Sequence, residues 1–240
     1  MTDSRRELRE VELAQAFVAL ADSLRQDFGI IDTMDILVAA STDFTSATAA
    51  GVVLAGASDD LHVVASTSER TTDVEEAQLG ASAGPCYDCF HTGELVEVPT
   101  IAAEAERWPD FCRVALESGF TAAHAIPLRA NKIVLGSINL FSVEPGGLGT
   151  RDTGVVRALA DVAAISIIQR DAVVRHIDTA AQLQRALDSR VLIEQAKGVL
   201  AQKHGIAVDE AFRRLRTHAR NTGTRLHDTA REVVERDLAI

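Results

Sequence analysis

The sequence has few aromatic residues and few cysteines. Only 4% of its 240 residues are aromatic, with one Trp and one Tyr, and it contains three cysteines. Three cysteines are an odd count in a chain long enough to bury its own core, so the disulfide framework of small secreted domains is not needed for stability. Hydrophobic residues make up 47% of the chain and charged residues 25%, so a disordered chain is excluded as well.

Long hydrophobic runs are also absent. No apolar stretch approaches the roughly 18 residues that span a bilayer, and the N-terminus, MTDSRRELREVELAQ, is charged throughout. We therefore expect no membrane span and no secretory signal, and we expect a cytoplasmic protein. The length predicts one large domain or two small ones.

Basic residues are scarce overall but concentrated near the C-terminus. The formal net charge is −11, yet residues 181–240 hold 11 Lys and Arg against 8 Asp and Glu, a balance of +3. The residues upstream therefore carry a balance of −14. This asymmetry indicates an acidic body joined to a module that can meet phosphate, although +3 is modest.

The N-terminal residues show the periodicity of one buried helical face. Between residues 5 and 28 the apolar residues recur at spacings of three, four and seven. A second helix is predicted from Thr33, as its N-cap, through Ala40. The buried stripe predicted for the first helix comprises Leu8, Val11, Ala14, Phe17, Val18, Ala21 and Leu24.

The residues that follow have the pattern of a sheet with long connections. We expect a lid or pocket wall over 67–92 and a short helix over 108–118, because long connections within a compact domain are usually functional. A turn at 129–132 joins the last two strands as a hairpin. Runs rich in β-branched residues predict five strands, at 48–55, 61–67, 95–98, 121–128 and 133–143.

A long helix is predicted after the sheet. No glycine or proline interrupts the chain between Gly154 and Gly198, which predicts a helix of roughly 60 to 75 Å, longer than a domain of this size covers. Six residues within it alternate steps of four and three, the heptad pattern of a coiled coil, so we expect two chains to pair here. The alternative is a single surface helix packed on its own domain. The six residues are Val173, Ile177, Ala180, Gln184, Leu187 and Val191.

The last sixty residues divide into three amphipathic segments, each able to bury one face. Gly205 and Gly223 fall where helix C-caps are expected, so we predict a compact three-helix unit whose first helix is the end of the long one. The predicted stripes are Val208, Phe212, Leu215 and Ala219 in the second helix and Leu226, Ala230 and Val233 in the third.

Two helical faces of this unit are rich in charge. They are able to form one cationic surface, and the alternative is an ordinary solvated face with acidic partners four residues away. Gly198 lies in mid-helix, where glycine costs about 1 kcal/mol relative to alanine, so we expect a close approach of backbone or ligand there. The faces comprise Arg190, Glu194, Lys197, Ala201 and His204 on the first helix and Arg213, Arg216 and Arg220 on the second.

Short motifs of the unit occur together with a definite spacing. They are SR at 189–190, IEQAKGVL at 193–200, DEAF at 209–212, LR at 215–216 and AR at 219–220, followed by Leu226, Asp228, Ala230 and Val233–Val234. Over about 185–236 the chain resembles an ANTAR domain. The resemblance implies a three-helix module of transcription antitermination regulators, which acts as a dimer on RNA with paired stem-loops of six-base loops and prevents a terminator hairpin. The candidate RNA-binding residues carried over are Arg190, Glu194, Lys197, Gly198, Arg213, Arg216 and Arg220.

The physical chemistry of RNA loops agrees with this resemblance. Unstacked loop bases are accessible to side chains, whereas the deep major groove of an RNA stem excludes them. Phe212 is the only aromatic residue of the module and is assigned to its core, so stacking falls to arginine, and binding is expected to depend strongly on salt. The module departs from the family pattern at Ala207, where a polar helix cap is common, and in the loop at 221–224, which is less basic than usual.

A second set of motifs lies upstream. It comprises GPC at 84–86, HTGELV at 91–96, VP at 98–99, WP at 108–109, IPL at 126–128 and LGSINL at 135–140. Over about 33–168 the chain resembles a GAF domain of the kind joined to ANTAR modules. The resemblance implies a central antiparallel sheet with helices on one side and a ligand pocket under loops on the other. Members of that family bind diverse small ligands, including cyclic nucleotides, haem and bilins, so the cofactor or signal stays unknown.

The cysteines and aromatic residues of this region have two interpretations each. Cys86 and Cys89 form a CxxC near His91, with Cys112 further along, but one CxxC is a weak sign of a metal or redox site and favours buried structural cysteines. Nothing resembles a catalytic motif, so we expect neither catalysis nor a metal centre. A ligand pocket would be lined by Cys86, Tyr87, Trp108, Phe111 and Phe120, which suit a core equally.

Together these patterns predict an α+β protein with four regions: an N-terminal amphipathic helix at 1–32, a GAF-like sensor at 33–168, a coiled-coil linker at 169–184 and an ANTAR RNA-binding module at 185–240. The predicted function is a signal-responsive, non-enzymatic, homodimeric antitermination regulator that binds tandem short stem-loops of RNA. Input would change the pairing of the linker helix. The alternatives are a DNA-binding regulator and a redox or metal sensor whose C-terminal bundle only dimerises.

Overall fold

The computed structural model describes residues 2–22, 29–56, 59–130, 132–174, 179–236, 238 and 240, with the backbone alone described for 2–7, 170–174, 179–188 and 236. The fold is α+β, as the sequence predicts. No helix in these ranges is long and apolar enough to cross a membrane.

A five-stranded antiparallel sheet forms the centre of the sensor region. The strands are β1 Ala49–Ala55, β2 Leu61–Ser66, β3 Val96–Val98, β4 Ala122–Ala130 and β5 Ile133–Ser142, in the spatial order β2-β1-β5-β4-β3. All five strands are confirmed, as is the hairpin between β4 and β5. β2 is an edge strand, so its outer side pairs with no other strand of the sheet. The C-terminal residues of the chain contact this strand.

Helices cover both faces of the sheet. One face packs against α1 Thr2–Asp22, α2 Ile30–Phe44 and α6 Thr150–Val174, and the other against α3 Glu69–Ala81, α4 Pro85–Thr92 and α5 Pro109–Glu117, with a 3-10 turn at Ile101–Glu104. The short helix expected over 108–118 is confirmed as α5. The connection over 67–92, expected as a lid or pocket wall, is instead two helices packed on the sheet.

Two details of the N-terminal helices differ from expectation. Thr33 is not an N-cap, because α2 begins at Ile30 with Gly29 before it, and the Thr33 hydroxyl donates to the Gly29 carbonyl from inside the helix. The stripe expected on α1 is also wrong in part. Leu8, Val11 and Val18 are 59%, 53% and 59% exposed, while the helix packs through Leu13, Ala16, Phe17 and Leu20. Leu24 lies outside the described residues.

The C-terminal module has three helices, α7 Thr179–His204, α8 Val208–Thr222 and α9 Leu226–Arg236, and this expectation is confirmed. Gly205 and Gly223 adopt left-handed φ angles of 61° and 64° at the ends of α7 and α8, as predicted. Val208 is exposed instead of buried, and Ala211 takes its place in the core. The core of the module comprises Ile193, Ala196, Leu200, Ala211, Phe212, Leu215, Ala219, Leu226, Ala230 and Val233.

The predicted long helix is described in two parts. The chain is helical to Val174 and again from Thr179, while 175–178 lie outside the described residues. The side chains of the proposed heptad from Val173 to Leu187 also lie outside them, and Val191 is 56% exposed. The C-terminal half of α7 packs against α2 and β2. That half therefore lies on the sensor domain, whereas the predicted helix was expected to extend beyond it.

Candidate nucleic-acid interface

Lys197 of α7 is buried, although its helical face was expected to be exposed. Its side chain is 4% exposed. Its Nζ forms an ion pair with Glu69 of α3 and another with Glu194, 2.9 Å from Oε2. It also lies 5.0 Å from the centroid of the Phe212 ring. Burial lowers the pKa of Lys197 to about 8, opposed by the nearby Asp209 carboxylate. The amine still carries its charge at neutral pH and therefore needs these partners.

Arg190, two turns earlier on α7, also contacts the sensor. Its Nη1 donates to the Val63 carbonyl on β2 over 3.1 Å, and its Nη2 donates to Glu76 Oε1 on α3 over 2.6 Å. Because β2 is an edge strand, its outer carbonyls are available for such a bond. The guanidinium thus joins the sheet edge to α3.

The start of α3 binds a carboxylate from the C-terminal module. The Glu69 backbone N–H donates to Asp209 Oδ1 over 2.8 Å, so an α8 side chain satisfies an amide that the helix itself leaves unpaired. The positive end of the helix dipole favours this carboxylate. We define the interface charge cluster as Arg190, Glu194, Lys197 and Asp209 of the module with Glu69 and Glu76 of the sensor.

The arginines of α8 lie beside a different cleft. Arg216 donates from Nη2 to the Asp35 carbonyl of α2 over 3.3 Å. Arg213 and Arg214 both pair with Glu210, and within the described part of the chain Arg220 makes no ion pair. The cleft has a volume of about 630 Å³, and among its lining residues are Arg213, Arg214, Arg216, His218, Arg220 and Asn221.

The structure therefore does not merge the predicted residues into one cationic surface. Arg190, Glu194 and Lys197 line a narrow cavity of about 30 Å³ against β2, whereas Arg213, Arg216 and Arg220 face the open cleft. Phe212 lies between the two groups, because the Arg216 guanidinium carbon is 5.5 Å from its ring centroid and Lys197 is on the ring as well. Sequence reasoning missed Arg214, His218 and Asn221, which line the same cleft from a neighbouring side of α8.

Gly198 has open space where a side chain would lie. Apart from the backbone of its own helix, no described atom lies within 4 Å of a Cβ built on it. Tight packing within the described part of the chain therefore does not explain this glycine. The residue is exposed beside the partly exposed Val199, so the surface around it is free for a partner.

A second cavity lies between α2 and the module. It has a volume of about 270 Å³. Burial raises the pKa of Asp32 and Asp35, which line it from the sensor side. Arg216, Arg220 and Arg225 line it from the other side. None of the predicted pocket residues contributes to this cavity.

The residues predicted to line a sensor pocket are mostly packed. Trp108, Phe111 and Phe120 are buried in one cluster with Phe141, and the Trp108 and Phe111 rings meet edge to face at 6.1 Å. Cys86 is buried too, while Tyr87 is partly exposed and packs on His91 at 4.1 Å. These contacts suit the core interpretation, and a ligand-binding role for the five residues stays a prediction.

A buried polar network under α3 was missed by sequence reasoning. Glu75 is fully buried and accepts hydrogen bonds from Asn139 Nδ2 at 2.8 Å and from Gln78 Nε2 at 3.0 Å. The Gln78 oxygen in turn accepts the Cys86 amide at 2.9 Å. Burial raises the pKa of Glu75 to about 8, so the carboxyl is mostly protonated at neutral pH.

The three cysteines are buried and unbridged. Burial raises the pKa of Cys89 to about 12 and that of Cys86 well above its usual value, and this disfavours the reactive thiolate. Among the described residues no three His, Cys, Asp or Glu side chains are arranged to hold a metal ion.

Both regions of the chain match known domain families. A family model of the GAF domain matches residues 29–167, which is more than half of the chain, and a model of the ANTAR domain matches residues 181–234. No protein of curated function matches the chain in sequence.

Solved structures resemble the sensor region in fold. The GAF domain of a phosphoenolpyruvate-protein phosphotransferase from Acinetobacter aligns over 67% of this chain and 95% of its own, with 12% identity and a TM-score of 0.51. A GAF domain of such a phosphotransferase from Coxiella burnetii aligns over 67% of this chain and 95% of its own, with 13% identity and a TM-score of 0.50. Free methionine-R-sulfoxide reductase from Neisseria meningitidis, solved with its substrate, aligns over 67% of this chain and 91% of its own, with 13% identity and a TM-score of 0.50. At these identities the likeness concerns the fold alone.

Proposed function

The chain belongs to the GAF domain family and carries an ANTAR domain after it, and from this we propose that it is a signal-responsive transcription antitermination regulator that binds stem-loop RNA as a homodimer. In this proposal the region 33–168 senses the signal, 185–240 binds RNA, and 1–32 and 169–184 contribute to pairing. The setting is the cytoplasm, where transcripts are made.

The observation that carries the RNA proposal is the arginine-lined cleft on α8. Four guanidiniums of the module that matches the ANTAR domain reach one cleft of about 630 Å³, whose other wall includes Thr42 and Asp43 of α2. Arg220 forms no ion pair among the described residues, although its charge opposes the rise in the pKa of the buried Asp35. Arg213 and Arg214 share a single carboxylate, Glu210. Excess positive charge with planar guanidiniums suits phosphates and stacked loop bases.

The dimer proposal is supported by an exposed apolar seam on α1. Leu8, Val11 and Val18 follow steps of three and seven and are all more than half exposed. Ile165 adds exposed apolar surface on α6, the helix beside α1. Apolar residues with this spacing on a surface helix are typical of helix pairing between chains.

The test is equilibrium binding of the full chain to RNA with two hexaloop stem-loops, measured by fluorescence anisotropy at several salt concentrations. We expect Arg213→Ala with Arg220→Ala to weaken binding severalfold and to reduce the salt slope by about one for each phosphate that the variant no longer neutralises. Arg113→Ala, which removes an exposed arginine from α5, is the matched control and should leave binding unchanged.

Duplex DNA of equal length separates RNA recognition from DNA recognition in the same assay. Equal or tighter binding to the duplex, with the same weakening in the α8 variants, would favour the DNA-binding alternative and contradict the proposal. Equal effects of the α8 and α5 substitutions would show that the cleft is not the binding surface.

We further propose that the chain is not an enzyme. GAF and ANTAR domains are sensing and regulatory domains, and the buried thiols with raised pKa are poorly suited to nucleophilic attack. Incubation with free methionine sulfoxide and a dithiol reductant should give no turnover above the protein-free blank. Turnover that disappears in Cys86→Ser would contradict this proposal and revive the redox alternative.

A further inference from the structure

The C-terminal module and the sensor share one buried interface. Ile193, Phe212 and Leu226 of the module and Ile31 and Val64 of the sensor belong to the same continuous apolar cluster. The cavity that remains between α7 and β2 is only about 30 Å³, room for one or two water molecules, while the cavity of about 270 Å³ lies beside Asp32 and Asp35 of α2. The module is therefore packed onto α2, β2 and α3 in this state of the chain.

The ionic contacts of this interface involve residues proposed to bind RNA. Lys197 is enclosed by Glu69, Glu194 and the Phe212 ring, and Arg190 is paired with Glu76. With its side chain 4% exposed, Lys197 has no room for a phosphate while the module is docked. The sensor carboxylates thus occupy the positions that phosphate oxygens would take on the same cations.

The interface contains one ion pair that is easy to break, between Arg190 and Glu76, and one that is costly to break, between Lys197 and Glu69. Arg190 and Glu76 are partly exposed, and such an ion pair contributes at most about 1 kcal/mol. Lys197 is buried, and removal of its sensor partner would leave a desolvated charge unless water or another anion replaces it. A polyanion supplies that replacement.

We infer that the acidic surface of the sensor formed by Glu69, Glu76 and the start of α3 is a docking site for the RNA-binding face of α7, and that RNA and the sensor compete for this face. The inference rests on the proposed RNA-binding function. The docked state binds RNA weakly, and a signal that loosens the sensor surface raises RNA affinity by increasing the undocked fraction.

The main experiment compares the RNA affinity of the full chain with that of the double variant Glu69→Gln and Glu76→Gln at fixed salt. Both changes lie on the sensor, remove no cation from the module and nearly preserve side-chain shape. Competition predicts about tenfold or more tighter binding, because the apparent dissociation constant scales inversely with the undocked fraction. The matched control, Glu106→Gln with Glu144→Gln, removes the same charge from exposed sites outside the cluster and should change affinity less than twofold.

A second measurement reads docking without changing the sequence. The Glu69 amide is bonded to Asp209 across the interface, so its hydrogen exchange reports whether the module is docked. Saturating hexaloop RNA should accelerate exchange of this amide in the wild-type chain, while amides of the β4–β5 hairpin keep their protection. An unchanged Glu69 amide in the RNA-bound chain would overturn the inference even if the variant failed to fold.

The outcomes separate the inference from the proposed function. Equal affinities of the wild type and the double variant, or an equal gain in the control variant, would overturn competition while leaving RNA binding in place. Absence of binding to hexaloop RNA by the wild type and the double variant at low salt would overturn the proposed function and the competition with it.

Discussion

Two buried ionisable side chains of the molecule have opposite surroundings. Glu75, under α3, is enclosed by neutral amide groups of the sensor itself, Asn139 and Gln78. Lys197, between the sensor and the C-terminal module, is enclosed by carboxylates, one of which belongs to the other region of the chain. Both groups are nearly inaccessible to water.

Glu75 is therefore a permanent part of the sensor core, whereas the anion beside Lys197 can be replaced by another anion. Burial raises the pKa of Glu75 to about 8, so the neutral acid satisfies neutral partners and needs no counter-charge. Lys197 remains charged at neutral pH despite its lowered pKa, so it requires an anion. The sensor provides that anion in the docked state, and RNA provides it in the proposed bound state.

The largest expected effect tests the packing around Lys197. Phe212→Ala removes a buried ring from the module core and should cost about 3–5 kcal/mol of stability, because apolar burial decreases and a cavity forms. Thermal or urea unfolding measures this, and Phe90→Ala on the half-buried face of α4 serves as the control with a smaller decrease. A decrease below about 1 kcal/mol for Phe212→Ala would contradict the packing that places Lys197 in the interface.

The next effect tests the Glu75 side of the comparison. The folded-state pKa is about 8 against 4.5 for the ordinary carboxyl, so the folded chain holds a proton that the unfolded chain releases between these values. Stability contributed by Glu75 is therefore complete below about pH 4.5 and is lost as pH rises through about 8, by up to about 1.4 kcal/mol per pH unit. Glu75→Gln should flatten this fall in unfolding measurements between pH 5 and pH 8. An identical pH dependence in both proteins would contradict the assignment.

Sequence patterns predicted the regular elements well because their burial is local. Four of the five strands contain at least two β-branched residues, whereas β4 contains only Ile126. The module stripe of Leu226, Ala230 and Val233 needs only helical spacing. α3 was missed because Glu75 and Gln78 occupy positions where a buried helical face normally has apolar residues.

The candidate site was predicted only in its residue types. Charged residues on a helix usually face solvent, so spacing alone placed Lys197 on an exposed face. Its actual burial depends on Glu69, 128 positions away along the chain. Spacing was also insufficient for α1. Its periodicity predicted an apolar stripe, but the side of the helix that packs on the sensor is the one with Leu13 and Leu20.

The smallest expected effect compares Lys197 with its open neighbour, Gly198. Because a Cβ at Gly198 meets no described atom, Gly198→Ala should stabilise the helix by about 1 kcal/mol. If RNA approaches the helix backbone there, the same change should weaken RNA binding, so stability and affinity move in opposite directions. Gly154→Ala, at an equally open glycine of α6, is the control and should leave affinity unchanged. Equal RNA affinities of the two variants would show that Gly198 does not lie on the RNA-binding surface.

The most direct test of the central claim, that this chain regulates transcription by holding stem-loop RNA, is single-round transcription through a terminator preceded by two hexaloop stem-loops. We expect the full chain to increase read-through, Glu69→Gln with Glu76→Gln to increase it further at the same concentration, and scrambling of both loops to abolish the effect. Read-through that stays at the protein-free level with both proteins, while the RNA is intact and correctly folded, would contradict this claim.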